Sequence, residues 1–504
     1  MKDCKTSHES CKHVDEPYLP TRVLDISLES SVDPPTISLL ETVADQRGTY
    51  CCLSHRWIDG DTPTTTETNL AERRKGIDFR HLPLKYQDAI TFARALGIQY
   101  LWIDSLCILQ EGSSDWLSEA PRMADYYGNA YLTISASIAV QKGQRCFSRA
   151  TSGTPTIRIS NGEHDLYAIH YRLPLSHTEN PLHSRGWVFQ EYMLSRRVVH
   201  FLEEEVIWEC REATWCECGR VSDDFKGTLM IEPITTSEHQ SFAYQQKARL
   251  YKTISTAQTP GALKNLWMEI VHDYSQKNLT FGTDIFPALA GLVKEMQSRR
   301  KCGYYAGLWE DSLVSDLLWQ SEDEEWYPIG HEYPKPDTWR APSWSWASST
   351  AVINWPNCPF NSATGQFLDH NLIANIFIEN LEVDCHPIGE DSTMGLKSAR
   401  LTLTGDLSIA PLLLDDDKGY TLYETLGDVS LSLDHTMTTE DLIQPVLLRT
   451  LLIAKISYGL ERGTFASLVL KPTGNEANEF ERLGLLHHTE RLEGTQHSVR
   501  VTLV

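Results

Sequence analysis

Tyr100-Leu-Trp-Ile-Asp-Ser-Leu-Cys-Ile-Leu-Gln110 is an apolar, aromatic and β-branched run that breaks at Asp104. Residues of this kind favour a pleated, buried strand. A buried strand that delivers polar side chains at its C-terminal end is how open α/β sheets build ligand crevices. An Asp at a strand end also caps a following turn, and both readings of Asp104 stand at this stage. Upstream, residues 50–54 form a second short apolar run. Between the two, Leu82-Pro83 opens a helix on which Tyr86, Ile90, Ala93 and Leu96 recur at helical spacing, and Gly97 closes it where a positive φ is cheap. A second helix through Met123 and Tyr127 leads to a third strand at residues 130–135. Strands alternating with helices at this spacing predict right-handed crossovers and a parallel sheet. Ser54 and Asp104 then share its carboxyl edge.

Outside this core the pattern changes. Residues 1–49 read as an irregular N-terminal arm, with one edge strand at 21–26 and a breaker at Asp33-Pro-Pro35. Residues 198–201 and 206–210 read as a hairpin around 203–205. A mainly helical region spans 216–349, carrying Leu263, Trp267, Ile270 and Val271 at helical spacing. From 350 to 504 short alternating runs separated by Gly, Asp and Pro predict a β-rich C-terminal domain.

The composition is that of a globular protein, with 41% hydrophobic and 22% charged residues in 504. A formal charge of −23 supplies no basic field to displace counterions from phosphates, so no nucleic-acid partner is expected. No apolar run reaches the roughly eighteen residues of a membrane span. The polar start Met1-Lys-Asp-Cys-Lys-Thr-Ser-His8 has no apolar signal core, and twelve cysteines fit reduced thiols, so a cytoplasmic location is expected. Cys210, Cys216 and Cys218 with His200 invite a zinc reading, but the spacing lacks paired knuckles, and no metal is expected. Cys107, without a local His partner, reads as core.

Several motifs occur in one order: Tyr50-Cys-Cys-Leu-Ser-His-Arg-Trp57, Asp115-Trp-Leu-Ser-Glu-Ala-Pro-Arg-Met123, Tyr127-Gly-Asn-Ala-Tyr-Leu-Thr-Ile134 and Arg185-Gly-Trp-Val-Phe-Gln-Glu191. Together they resemble the fungal heterokaryon-incompatibility (HET) domain, here placed at residues 50–215. Tyr305-Ala-Gly-Leu-Trp309 and Ala341-Pro-Ser-Trp-Ser-Trp-Ala-Ser348 carry a weaker echo, and the second reads as a packing staple between domains. HET domains resemble TIR domains in strand–helix order, which implies a TIR-like or flavodoxin-like parallel sheet. Several TIR domains cleave the N-glycosidic bond of NAD with one Glu. Carried over by position, Ser54 ends the first strand, Ile103-Asp104 the second, and Glu119 is the catalytic carboxylate on the helix after it. Pro121 cannot sit deep in a helix, so that helix begins near Ser118 or kinks there, and a start at Ser118 places Glu119 in a first turn whose dipole keeps it ionised.

The resemblance implies a substrate-binding set of Ser54, His55, Arg56, Trp57, Asp104, Trp116, Arg185, Gln190 and Glu191. The family's usual Ser-Tyr-Xaa-Trp-Gly is altered here, with His55 for Tyr and Ile58 for Gly, and Arg56 offers a guanidinium for phosphate. Arg185 and Glu191 either position a ligand or bind each other. Three functions follow as expectations. One is NAD glycohydrolysis that triggers cell death, with NAD as substrate and no cofactor. Another is a non-catalytic death-signalling adaptor acting through a protein partner or self-association. The third is a HET-fold enzyme of specialised metabolism.

Overall fold

The computed structural model of the chain describes residues 2–12, 16–26, 37–110, 113–147, 156–160, 165–169, 180–203, 206–217, 246–257, 260–321, 333–355, 360–361, 366–367, 373–415, 419–422, 429–435, 447–456, 464–489, 492 and 495–504. They form two compact units, Met1–Thr256 and Ala257–Val504.

The first unit is built on an eight-stranded sheet. Its strands are β1 (Arg22–Asp25), β2 (Ser38–Glu41), β3 (Tyr50–Ser54), β4 (Tyr100–Trp102), β5 (Leu132–Ser135), β6 (Arg197–Phe201), β7 (Val206–Cys210) and β8 (Thr214–Cys216), in the order β8-β7-β6-β5-β3-β4-β1-β2. The centre is parallel: β3 pairs with β4 and β5, and β5 with β6. Every residue of β3 and β5 is buried, as a sheet covered on both faces requires. The predicted strands, the helix Leu84–Ala95 behind Pro83 and the β6–β7 hairpin are all present. Gly97 takes φ +72°, the conformation its place after the helix demands.

Two expectations are corrected. The strand at 21–26 is not an edge, because β2 covers its outer side while β4 pairs with its inner side. Its Arg22 is 5% exposed, with Nε donating to the Cys107 carbonyl at 2.7 Å and a guanidinium nitrogen on Asp115. A short run whose partner lies beyond a break in the pattern gives no sign that both sides are paired. The helix of Glu119 also starts earlier. With α1 as Lys2–Ser7, α2 as Leu84–Ala95 and α3 as Asp104–Cys107, α4 is Ser113–Glu119. Glu119 therefore ends a helix rather than beginning one. Pro121 sits in a separate 3-10 turn, Ala120–Arg122, where its missing N–H costs nothing, and α5 (Met123–Asn129) follows.

The second unit combines helices with a β-rich region. The long helix Pro260–Ser275 buries Leu263, Trp267, Ile270 and Val271. A tight hairpin, Tyr304–Tyr305 with Leu308–Trp309, turns at Ala306 and Gly307. Gly307 combines φ +96° with a position where a Cβ would lie 2.5 Å from the Trp346 indole nitrogen. Trp267 and Trp346 both donate to its carbonyl at 3.0 Å, and Trp319 donates to the Trp344 carbonyl at 3.0 Å. The Ser-Trp-Ser-Trp element thus staples within this unit.

The C-terminal region closes a barrel. Strands β9 (Glu379–Pro387), β10 (Leu396–Asp415), β11 (Leu447–Ile456), β12 (Thr464–Pro472), β13 (Glu479–His488) and β14 (Gln496–Leu503) pair so that β10-β11-β12-β13-β14 returns to β10. Five strands that alternate direction can close only with one parallel pair. That pair is β13–β14, while the other contacts around the ring are antiparallel. Leu401, Leu451, Leu468, Leu485 and Leu503 are fully buried.

Candidate functional site

Among the parallel strands, β4 lies on one side of β3 and β5 on the other, so chain progression reverses beside β3. In open α/β sheets the crevice at such a reversal, outside the carboxyl ends of the strands, is where ligands bind. Ser54 ends β3 and pairs with Ser135 of β5 at this place.

Buried polar side chains meet at this edge from three directions. Ser54 donates to Glu191 Oε2 at 2.6 Å, and both residues are buried. Glu191 arrives on α6 (Gly186–Leu194), a helix with almost every side chain buried. Burial, then the negative charge of Asp104, push the Glu191 carboxyl up to about 7, against hydrogen bonds from Ser54 and Tyr127 and the nearby charge of Arg185. Asp104 begins α3 directly after β4: Oδ1 accepts from the Ser105 N–H at 2.7 Å, the structural one of its two readings, while Oδ2 accepts from the Trp57 indole at 2.8 Å. Burial raises its carboxyl as well.

His55 lies beneath this pair. Its Nδ1 is 3.6 Å from Asp104 Oδ1, and its Nε2 meets the Tyr86 hydroxyl at 2.8 Å, which in turn meets Ser105 Oγ at 2.7 Å. Burial, with Lys85 and Arg185 nearby, holds the imidazole well below its ordinary value, so it is neutral at physiological pH. Arg185 donates to the His55 carbonyl at 3.1 Å and Lys85 to the Arg56 carbonyl at 2.7 Å. Burial lowers the Lys85 ammonium to about 8. The loop after β3 is therefore clamped from both sides by cations. Its turn glycine is Gly60, at φ +67°, two residues beyond Ile58.

Arg56 and Trp57 are exposed at the rim, and Trp116 makes an edge-to-face contact with Trp187 at 6.3 Å. Gln190 is buried on α6 beside Glu191. The structure thus brings together Ser54, His55, Trp57, Asp104, Arg185 and Glu191. Glu119 has a neighbourhood of its own. Thr21 Oγ1 donates to its Oε1 at 2.9 Å, Tyr126 to its Oε2 at 2.8 Å, and Arg122 lies 3.6 Å away. No contact among the described residues joins it to Ser54 or Asp104.

Tyr86, Lys85 and Tyr127 were not legible as site residues. The two tyrosines occupy apolar-face helical positions that read as core, and Lys85, a charged residue beside them, carries no sign of its burial. Cys107 is core, its thiol pushed up to about 12 by burial. His200 lies 3.3 Å from Glu209. Cys218 and the side chain of Cys216 lie outside the described residues.

A buried carboxyl near neutrality, a second carboxylate, a serine hydroxyl and two cations can exchange a proton at pH 7 and stabilise a developing positive charge. Residues 50–191 match the family described as Heterokaryon incompatibility protein (HET). The matched stretch runs from the first residue of β3 to Glu191 and so brackets the crevice; the chain is heterokaryon-incompatibility-like over this domain. No curated protein and no solved structure matches the chain.

Proposed function

We propose that the crevice at the end of β3 binds NAD and hydrolyses its N-glycosidic bond, with Glu191 as the working carboxylate. Nicotinamide in NAD is already cationic, so the C1′–N bond breaks with its electron pair leaving on a neutral base and no general acid is required. The developing oxocarbenium needs an anion beside the ribose, and water completes the reaction by bonding to C1′ and giving up a proton. The Ser54–Glu191 pair at the sheet reversal carries this reading: it sets a carboxylate with a near-neutral pKa at the place where such folds take nucleotides. Asp104 orients ribose hydroxyls, Arg185 and Arg56 meet phosphates, and Trp57, Trp116 and Trp187 offer faces for the bases. Depletion of NAD is the route from this chemistry to cell death. Glu119 is the competing carboxylate, since the TIR resemblance points to it. The test is nicotinamide release by the full chain, alone and under forced clustering, for wild type, Glu191→Gln and Glu119→Gln. Loss confined to Glu191→Gln supports the reading, and loss confined to Glu119→Gln transfers the role.

A second reading rests on a different observation. Ser54 and His55 are each 3% exposed and Glu191 6%, so a nucleotide reaches them only if the clamped loop after β3 opens. A binding module that assembles with a protein partner needs no such opening. Wild-type protein that clusters without turnover favours that adaptor.

A further inference from the structure

We propose that Cys4, His8, Cys11 and Cys210 bind one structural zinc ion that fastens the N-terminal segment to the β7–β8 turn. This site is separate from the crevice and does not depend on the NAD reading. The four side chains offer three sulfurs and one imidazole nitrogen, all within 4.8 Å of one another. The Cys210 sulfur lies 3.3 Å from His8 Nδ1. Tetrahedral zinc with bonds of about 2.3 Å to sulfur and 2.0 Å to nitrogen separates its ligand atoms by roughly 3.5–3.8 Å, so small side-chain adjustments complete the shell. Three cysteines and one histidine form a closed set with no position left for water, the mark of a structural rather than a catalytic site. Thiolate and imidazole together favour zinc over hard cations that prefer oxygen.

Local structure explains how the ligands meet. Cys4 sits on α1, and Cys11 ends the 3-10 turn Glu9–Cys11 that follows it, with His8 between them. The Ser10 N–H donates to Glu212, drawing this segment onto the β7–β8 turn. Cys210 is the last residue of β7, and its N–H donates to the Ala213 carbonyl across the turn at 2.8 Å. Trp208 and Trp215 wall the cluster, and the His8 ring stacks on Trp215 at 6.1 Å with planes 15° apart.

Electrostatics supply an independent argument. A divalent cation with three thiolates carries a net charge of −1, which a buried site must neutralise. Arg197 is fully buried here, with Nε 3.2 Å from the Cys4 sulfur and Nη2 donating to the Cys11 carbonyl at 2.6 Å. One guanidinium thus balances the charge and orients two ligand residues, as outer-shell groups of metal sites do. A disulfide would pair only two of the three sulfurs and leave the third thiol and the imidazole with nothing to hold.

The test uses the full chain purified under reducing conditions. Elemental analysis should find one zinc per chain. Replacement by Co(II) should give the intense visible d–d bands and near-ultraviolet thiolate-to-cobalt transitions of a tetrahedral site. Cys210→Ser and His8→Ala should lose the stoichiometric metal, whereas His8→Cys should keep it. Arg197→Met, which retains all four ligands, should weaken zinc binding by roughly ten- to a hundredfold. Wild-type protein that takes up no zinc from a micromolar excess, or gives the weak octahedral cobalt spectrum, overturns the proposal. So does peptide mapping that finds a disulfide among Cys4, Cys11 and Cys210 in freshly isolated protein. The cobalt spectrum of the wild type decides the matter even if the ligand variants do not fold.

Discussion

Glu119 and Glu191 are two buried glutamates in one sheet unit, and their surroundings differ in kind. The carboxylate of Glu119 is saturated: a hydroxyl donates to each oxygen and a guanidinium stands near. Those partners come from the start of β1 and from α5, so the group ties an outlying strand to the helices over it. Glu191 likewise has two hydroxyl donors, Ser54 and Tyr127, and Arg185 nearby, but burial and the second carboxylate, Asp104, push its carboxyl up to about 7. A carboxylate whose partners join an outlying strand to a helix holds structure. One that sits near neutrality beside another acid at a strand end can change its state during a reaction. Neither burial nor the hydroxyl donors tell the two apart; the second carboxylate beside Glu191 does.

The sharpest way to break this contrast is a pair of isosteric substitutions. Glu191→Gln should lower the rate of nicotinamide release by roughly 10²–10³-fold, with no fall in thermal midpoint. Equal loss from Glu119→Gln in a folded protein would erase the distinction. Next, removing the donors of Glu119 should act on stability and not on rate. Thr21→Val or Tyr126→Phe leaves a buried carboxylate oxygen short of a partner and should cost about 1–3 kcal/mol in denaturant unfolding, while turnover per folded molecule stays the same.

A third measurement reads Glu191 without any substrate. Its folded pKa of about 7 lies above the ordinary value of 4.5, so the folded state holds this proton more tightly than the unfolded chain. The penalty for ionising it in the fold is absent below the ordinary value, grows as pH rises between the two, and is complete above about 7. This group therefore makes the protein less stable as pH rises through that window, at a slope of about 1.4 kcal/mol for each pH unit. Midpoints measured from pH 4.5 to 8 should fall more steeply for wild type than for Glu191→Gln. Parallel curves would show that Glu191 does not titrate there. The smallest effect belongs to Trp57→Phe, which removes the indole donor to Asp104 at the exposed rim. It should cost about 1 kcal/mol or less, seen as a weaker KM with kcat held.

Much of the parallel core was legible from residues 50–54, 98–103 and 130–135, because alternation of strand and helix and the glycine at position 97 act over short range. The placement of Ser54 and Asp104 at one edge followed from that alone. The start of α4 was not legible. Pro121 forbids a continuous helix, but the sequence does not say on which side of it the helix lies, and the bond from the Leu109 N–H to Asp115 and the contact of Asp115 with Arg22 fix the earlier start. The role of Glu191 was half visible: the motif stood out, but its link to Ser54 spans 137 positions and no local pattern encodes it. The same holds for Cys210, whose neighbours Cys216 and Cys218 drew attention toward a local zinc spacing. Cys4-x3-His8-x2-Cys11 in the N-terminal arm was the available signal, and it becomes informative only once the fold supplies Cys210.

The span between Ser54 and Glu191 also sets a clock. Translation at about 5–20 residues per second leaves a growing chain with Ser54 and Asp104 already made for about 4–17 seconds before Glu191 is added. During that interval, and in any fragment cut between β5 and α6, the edge of the sheet exists without its carboxylate. On the proposed reading, a chain that ends before α6 lacks Glu191 and should release no nicotinamide.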